Sequence, residues 1–92
     1  MFYTYVLWSL KDKKFYIGFT PADPFKRLNK HNLGLVIATK WRRPLELIYF
    51  EGHRNEKDAL RRERYFKTVK GRTTLRQMLK VSLSNLVSPK KG

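Results

Sequence analysis

Short runs of aromatic and β-branched residues alternate with polar turns in the first half of the chain. Residues 2–10 and 15–20 are such runs, and the polar segment 11–14 between them predicts a hairpin turn. A third run of the same character covers residues 45–50 and is closed by Gly52. The pattern therefore predicts a β-hairpin followed, later in the chain, by a third strand.

A short helix is predicted between the second and third strands. Asp23 is suited to the N-cap position, and Pro24 to the first helical position. Two apolar residues spaced three apart follow, and residues 32–34 are expected to end the helix. Residues 35–43 show neither a helical nor a strand pattern, so we expect a loop there.

The rest of the chain predicts two further helices. Asn55 is placed to cap a helix that continues through Lys70 and stops at Gly71. Thr73 or Thr74 is then expected to start a third helix. The apolar residues of this third helix recur at helical spacing and are expected to be core residues: Leu75, Met78, Leu79, Leu83, Leu86 and Val87.

The predicted order of elements is β-β-α-β-α-α. It gives an α+β fold with a small, three-stranded, mainly antiparallel sheet flanked by helices. The 92 residues suffice for one domain, expected over residues 1–87, with residues 88–92 as a short basic tail. The sequence shows no apolar run of bilayer length and no signal-peptide pattern, so we expect a cytoplasmic protein without a membrane partner.

The charge of the chain points to a polyanionic partner. Lys and Arg number 21 against 7 Asp and Glu, which gives a formal charge of +14 and favours binding to nucleic acid. A hydrophobic content of 41% indicates a packed domain and not a disordered basic arm. The sequence has no Cys, which excludes disulfides, thiolate zinc sites and cysteine nucleophiles. With no Cys and only two His, any metal ion must depend on carboxylate oxygen.

Glu63 stands apart from the other acidic residues. Structural positions suit the remaining six, as turn, cap, first-turn or exposed strand residues: Asp12, Asp23, Glu56, Asp58, Glu46 and Glu51. Glu63 lies beside the apolar stripe of the second predicted helix. Two interpretations stay open at this point, an ion-paired Glu at the margin of the stripe or a single carboxylate ligand for Mg²⁺ or Mn²⁺.

Two further groups of residues are candidates for chemistry. Arg27 and His31 are four residues apart on the first helix, so they share one face, and Lys30 adds charge beside them. That face is either a phosphate-binding patch or a solvated basic surface. A hairpin turn of even length, centred on residues 12–13 with Lys11 opposite Lys14, would also place three tyrosines on one face, where aromatic residues usually pack: Tyr3, Tyr5 and Tyr16.

Five segments of the chain, taken in order, resemble the GIY-YIG nuclease superfamily. They are similar in particular to its small stand-alone bacterial members, which consist of an excinuclease-like domain. The resemblance extends from residue 3 to about residue 70. Its segments are Tyr5-Val6-Leu7, Tyr16-Ile17-Gly18-Phe19-Thr20, Arg27-Leu28-Asn29-Lys30-His31-Asn32, Arg43-Pro44 and Ala59-Leu60-Arg61-Arg62-Glu63-Arg64.

The resemblance implies a metal-dependent endonuclease that hydrolyses phosphodiester bonds in nucleic acid, with DNA as the expected substrate. By analogy, Tyr5 is the general base with Tyr16 beside it, Arg27 clamps the scissile phosphate, and Glu63 holds Mg²⁺ or Mn²⁺. His31 either assists Tyr5 or positions the phosphate. No small-molecule cofactor is expected. Six basic residues are expected to contact nucleic acid: Lys14, Lys30, Lys40, Arg42, Arg43 and Lys67.

The sequence departs from the family pattern in two places. The first triplet reads Thr4-Tyr5-Val6 where the family has Gly-Ile-Tyr, and Asn85 lies too far beyond Glu63 to match a family Asn. Two other functions therefore stay open. One is a nucleic-acid-binding module without catalysis on the same fold, and the other is a ribosome-associated or structural protein.

Overall fold

The computed structural model describes residues 1–87, so the predicted basic tail, residues 88–92, lies outside the described residues. Three strands form one antiparallel sheet: β1 (Phe2–Ser9), β2 (Phe15–Thr20) and β3 (Leu45–His53). Their order is β2-β1-β3, so β1 is central and is hydrogen-bonded on both edges. Helices flank the sheet, and the predicted α+β fold class is confirmed.

The β1–β2 register brings the two motif tyrosines to one face. Tyr5 lies opposite Gly18, and Leu7 lies opposite Tyr16, so odd positions of β1 share a face with even positions of β2, as predicted. The predicted turn pairing is wrong, because the Ser9 amide donates to the carbonyl of Lys14 and the connection therefore covers residues 10–14. Side-chain oxygens within the turn accept its free amides, which favours this longer loop.

Four α-helices and one short 3₁₀ helix complete the described chain. The α-helices are α1 (Pro24–Asn32), α2 (Glu56–Phe66), α3 (Val69–Met78) and α4 (Lys80–Val87). The predicted caps are confirmed, since Asp23 accepts from the Phe25 amide and Asn55 accepts from the Lys57 amide. The loop predicted for residues 35–43 is wrong over most of its length, because Ile37–Arg42 is the 3₁₀ helix.

The predicted boundary between the second and third helices is also wrong. α2 ends at Phe66, and the hydroxyl of Thr68 caps α3 by accepting from the amide of Gly71. Gly71 therefore lies inside α3 and does not stop α2 at Lys70. Its missing side chain is needed for packing, because a Cβ at this position would collide with the backbone carbonyl of Tyr65.

The single third helix predicted from Thr73 or Thr74 is in fact two helices, separated at Leu79. Both threonines lie within α3 and donate their hydroxyls to carbonyls four residues earlier. The predicted core positions Leu75, Leu79 and Leu83 are buried, and Leu86 packs against them. Met78 is 43% exposed, so its assignment to the core is wrong.

The two faces of the sheet are covered by different helices. Val6 and Trp8 of β1 pack with Phe66 of α2 and with leucines of α3 and α4. Tyr5 and Leu7 lie on the opposite face, with α1. The hydroxyl of Thr4 donates to the carbonyl of Ala59 at 2.6 Å and so joins β1 to α2. Among the described helices, none is both long and apolar enough to cross a membrane.

Candidate active site

The face of the sheet beneath α1 holds a cluster of four residues that the sequence singled out. Tyr5 of β1 is 1% exposed, and its ring centroid lies 6.4 Å from that of Tyr16 on β2. His31 of α1 packs edge-on against both rings, at 5.7 and 5.1 Å between centroids. Arg27, one turn earlier on α1, reaches the Tyr5 hydroxyl from the same side. The predicted shared helix face of Arg27 and His31 is thus directed toward the sheet.

A continuous series of hydrogen bonds joins these residues. Arg27 Nε donates to Tyr5 Oη over 3.4 Å, and Tyr5 Oη lies 2.7 Å from His31 Nε2. On the other side of the imidazole, His31 Nδ1 lies 2.6 Å from Oγ1 of Thr39 in the 3₁₀ helix. The Thr39 hydroxyl in turn lies 3.5 Å from the carbonyl of Val36. The series therefore connects α1, the central strand and the 3₁₀ helix.

The groups at the two ends of this series determine which atom donates in each hydrogen bond. The Arg27 guanidinium only donates, so Tyr5 Oη is the acceptor and its own hydrogen is free to be donated to Nε2 of His31. The carbonyl of Val36 only accepts, so the Thr39 hydroxyl donates to it and accepts from Nδ1. The imidazole consistent with both ends is neutral, with its proton on Nδ1 and a free lone pair on Nε2 facing the tyrosine.

Burial and charge favour the same protonation states. His31 is fully buried, and burial together with the charge of Arg27 lowers its pKa to about 4. Burial raises the pKa of Tyr5 above its usual value, and the negative charge of Glu63 and the proximity of Tyr16 act in the same direction. The hydrogen bond and charge of Arg27 oppose that rise without cancelling it. Near neutral pH, Tyr5 is therefore a phenol beside an uncharged imidazole.

Gly18 provides the space in which the Tyr5 ring lies. Gly18 is directly opposite Tyr5 in the β1–β2 ladder, and a Cβ on it would collide with the Cζ and Oη atoms of that tyrosine. Any side chain at position 18 would therefore displace the phenol from His31 and Arg27. This requirement gives a physical reason for the glycine in the segment Tyr16-Ile17-Gly18.

Glu63 belongs to α2, which is on the other side of the sheet from α1. The side chain of Glu63 is 17% exposed, and its carboxylate lies 3.2 Å from Lys67 Nζ, one turn later on α2. Its negative charge is the smallest of the effects that raise the pKa of Tyr5. The structure thus contains the ion pair that one of the two interpretations predicts.

The described residues suit a hard cation held through one carboxylate and not a closed metal cage. In residues 1–87, no group of three or more His, Cys, Asp or Glu side chains is arranged to bind a metal ion. Mg²⁺ commonly binds through one or two carboxylates and fills its other positions with water and substrate phosphate. Glu63 fits that kind of site, and the absence of a multi-ligand cluster in this part of the chain does not fit a structural zinc site.

The six predicted nucleic-acid contacts fall into two groups. Lys14, Lys30 and Lys40 are exposed. The other three are engaged within the fold. Arg42 pairs with Asp12 at 2.5 Å and donates to the carbonyls of Lys14 and Phe15. Arg43 donates to the carbonyl of Lys40, and Lys67 pairs with Glu63.

Two features of this region were not predicted. Thr39 is fully buried against His31, but residues 35–43 gave no sequence signal for an ordered segment. Glu51 was expected at an exposed position, which is wrong. Its side chain is 17% exposed, and its carboxylate accepts from Tyr49, His53 and Arg62, on the face of the sheet covered by α2. The alternation of β3 did not show that three donors would converge there.

Comparison with known proteins adds an independent finding. The family model for the GIY-YIG catalytic domain matches residues 1–76 of the chain. A UPF0213 protein from Pediococcus pentosaceus is 39% identical over 88 residues, which is 92% of this chain and 90% of the relative. A UPF0213 protein from Clostridium perfringens is 40% identical over 68 residues, 73% of this chain and 71% of the relative. No solved structure was found to match.

Proposed function

Because the chain belongs to the GIY-YIG catalytic-domain family, a nuclease superfamily, we propose that it is a divalent-metal-dependent endonuclease that hydrolyses phosphodiester bonds in DNA. The observation that carries the proposal is the buried hydrogen-bonded series from Arg27 through Tyr5 to His31. A purely structural tyrosine has no need of a guanidinium on one side and a neutral imidazole on the other.

Arg27 has the chemistry to bind the scissile phosphate. Its Nε is used by Tyr5, and its terminal nitrogens have no hydrogen-bond partner within residues 1–87. Arg27 is half-buried and lines a surface depression, from which these nitrogens are proposed to bind a phosphate oxygen. Binding there would place the phosphorus next to the Tyr5 hydroxyl and would stabilise the charge that develops as water attacks.

Tyr5 is proposed to accept the proton of the attacking water while passing its own proton to His31. Its raised pKa means that no phenolate is ready in the free protein, so a direct general base would be inefficient. The free Nε2 lone pair of His31, 2.7 Å away, is the acceptor for the phenolic proton. The transfer requires the negative charge of the bound phosphate to offset burial and Arg27, which lower the pKa of His31 to about 4 in the free protein. The Nδ1 contact with Thr39 holds the imidazole in the required orientation.

Glu63 is the proposed protein ligand for the divalent ion. An ion bound there would neutralise charge on the phosphate and on the leaving oxygen. The Glu63 carboxylate forms an ion pair with Lys67, so the lysine side chain must move toward solvent, or toward phosphate, when the ion binds. Half of the Lys67 side chain is exposed, and a surface ion pair of this type is worth about 0.3 to 0.5 kcal/mol, so its release costs little.

Basic residues would supply the remaining affinity through phosphate contacts. Lys14, Lys30 and Lys40 are exposed and are proposed to contact the backbone of the substrate. Arg42 is a weaker candidate, since its guanidinium is committed to Asp12 and to two carbonyls. The expected location of such a protein is the cytoplasm, and residues 1–87 are proposed to act as one domain.

The Glu63–Lys67 ion pair favours one alternative, a nucleic-acid-binding module without catalysis. In that case Glu63 serves only the helix, and the basic surface binds phosphate without cleavage. Both proposals predict binding, so only chemistry separates them.

The experiment compares Glu63→Gln with Glu46→Gln, a matched change at an exposed position of β3. Cleavage of single-stranded, duplex and branched DNA, and of RNA, is measured with Mg²⁺, Mn²⁺ or EDTA. We expect Glu63→Gln to lose cleavage by more than about a hundredfold, because removing the carboxylate removes the ion that neutralises developing charge. Binding in EDTA should be unchanged or tighter, since one negative charge is lost.

Glu46→Gln makes the same change in net charge and should cut like the wild type. Unfolding in urea should be nearly identical for both variants. Cleavage by Glu63→Gln at the wild-type rate would contradict the metal role. A wild-type protein that binds but never cuts, with any ion, would establish the module without catalysis.

A further inference from the structure

Trp41 is the aromatic residue of the 3₁₀ helix, and 74% of its surface is open to solvent. The other tryptophan of the chain, Trp8, is 2% exposed and belongs to the core. A single exposed apolar side chain needs no explanation in itself, because much of any protein surface is apolar. The surroundings of Trp41 are what make it unusual.

Cations surround this indole. Lys40 Nζ lies 5.3 Å from the centroid of the ring. Trp41 also forms one wall of a depression of about 380 Å³, with Lys11 and Arg43 among the other lining residues. Of the described residues, none that lines this depression is acidic. The site therefore offers a flat aromatic face together with three positive charges.

The backbone that carries Trp41 is fixed by the two residues that follow it. Arg42 is held by its ion pair with Asp12 and by its hydrogen bonds to two carbonyls. Arg43 Nε donates to the carbonyl of Lys40 at 2.8 Å, which closes the turn around the ring. An exposed ring on an anchored backbone loses little conformational entropy when a ligand stacks on it.

The same 3₁₀ helix connects this surface to the candidate active site. Thr39, two residues before Trp41, is the residue that orients His31. At about 2 Å of rise per residue, the backbones of Thr39 and Trp41 are about 4 Å apart along the helix axis. Trp41 and the residue that orients His31 therefore belong to one short segment of the protein.

We propose that Trp41, with Lys11 and Lys40, is a subsite that stacks one unpaired base of the nucleic acid and binds the adjoining phosphates. The inference rests on the proposed function, because it takes nucleic acid as the ligand. Aromatic faces bind bases without regard to sequence, and the cations hold the backbone that accompanies the base. Trp41 thus selects for a base that is free to leave its stack.

The test measures binding in EDTA, so that it does not depend on cleavage. Wild type, Trp41→Ala, Trp41→Phe and the control Ile37→Ala are titrated with oligothymidylate and with an abasic strand of equal length. Ile37 is 90% exposed in the same segment but does not line the depression. We expect Trp41→Ala to bind oligothymidylate about tenfold more weakly and the abasic strand as tightly as wild type. Trp41→Phe and Ile37→Ala should both resemble wild type.

Intrinsic fluorescence gives a second readout that needs no variant. Because Trp8 is buried, quenching of the tryptophan emission by oligothymidylate, but not by the abasic strand, reports on Trp41. Equal weakening on both strands would make Trp41 an indirect support for the cations and would overturn the proposal. The proposal also fails if Trp41→Ala binds vesicles of anionic phospholipid poorly but binds oligothymidylate normally, since the surface would then serve a membrane.

The failure of this inference is distinguishable from failure of the proposed function. If Trp41→Ala binds oligothymidylate like wild type while the separate variant Glu63→Gln abolishes cleavage, the subsite is wrong and the proposed nuclease activity stands. A wild-type protein that binds neither strand removes both.

Discussion

The two faces of the central strand bury different kinds of side chain. Toward α2–α4, Val6 and Trp8 pack with Phe66, and the cluster is almost entirely apolar. The indole N–H of Trp8 is the one buried side-chain polar atom without a hydrogen-bond partner among the described residues. Toward α1, the buried groups include a phenol, an imidazole and a hydroxyl, and each of them is hydrogen-bonded.

The difference shows where stability and chemistry reside in a chain with one small sheet. Apolar burial contributes about 25 cal/mol per Å² without requiring any particular orientation. Buried polar groups contribute less to stability, yet they have to be mutually oriented, because an unpartnered one is costly. The α1 face therefore buries less apolar surface and holds a fixed arrangement of donors and acceptors instead.

Truncation of the apolar face should produce the largest change in stability. Phe66 is fully buried, and Phe66→Ala should lower the free energy of unfolding by about 4 kcal/mol. A 92-residue domain has a total of about 5 to 14 kcal/mol, so this loss removes between about a third and most of the stability. The control is Phe25→Ala on α1, where the ring is 59% exposed and the expected loss is below about 1 kcal/mol. Equal losses in urea titrations would contradict the division between the faces.

Acid should act on the α1 face through His31. Its pKa of about 4 in the folded protein is below the value of about 6.5 for an unfolded His. Between these values the unfolded chain binds the proton more strongly, so stability is complete above about pH 6.5 and falls as the pH is lowered toward 4. The expected loss from this one group is about 2 to 3 kcal/mol.

The measurement is the urea-unfolding free energy of wild type and His31→Gln between pH 7 and pH 4. Carboxylates titrate in both proteins, so the difference between the two profiles isolates the imidazole. His31→Gln should be less stable at pH 7 and should lose less stability on acidification. Parallel profiles would show that His31 is not held neutral by its surroundings.

A substitution that displaces the Tyr5 phenol without removing it should have a smaller effect on stability. In Gly18→Ala the added methyl group collides with the Tyr5 ring, and overpacking of this kind costs about 1 to 3 kcal/mol. Cleavage should fall further than the loss of stability explains, because the phenol is displaced from His31. Gly52→Ala on β3 is the matched control, since its methyl group would lie 3.3 Å from its nearest neighbour, Tyr3 Cε1, whereas the methyl group at position 18 would lie much closer than that to the Tyr5 ring. Similar cleavage by the two variants would contradict the proposed role of Tyr5.

Local sequence signals predicted most of the fold, because they act over a few residues. The caps at Asp23 and Asn55, the three strands and the apolar spacing from Leu75 onward are properties of neighbouring positions. The errors arise where a distant contact decides. Gly71 looks like a helix stop in sequence, but the close approach of the α2 end explains it.

The same division applies to the candidate site. Residue spacing placed Arg27 and His31 on one helix face, and strand parity placed Tyr5 and Tyr16 together. Neither could predict Thr39, whose place beside the imidazole depends on the path of residues 35–43. Spacing also could not show that burial would keep Tyr5 protonated, since a pKa depends on everything around the group.

The contact between Asp12 and Arg42 has a consequence for how this chain can diverge. Asp12 lies in the turn that joins the two tyrosine-bearing strands, and Arg42 lies at the end of the helix that contains Thr39. An ion pair that takes no part in the proposed reaction thus joins two segments 30 positions apart. Among descendants of a common ancestor, we expect these two positions to be exchanged as a pair. A transplanted hairpin should accordingly work only when it is moved together with its arginine partner.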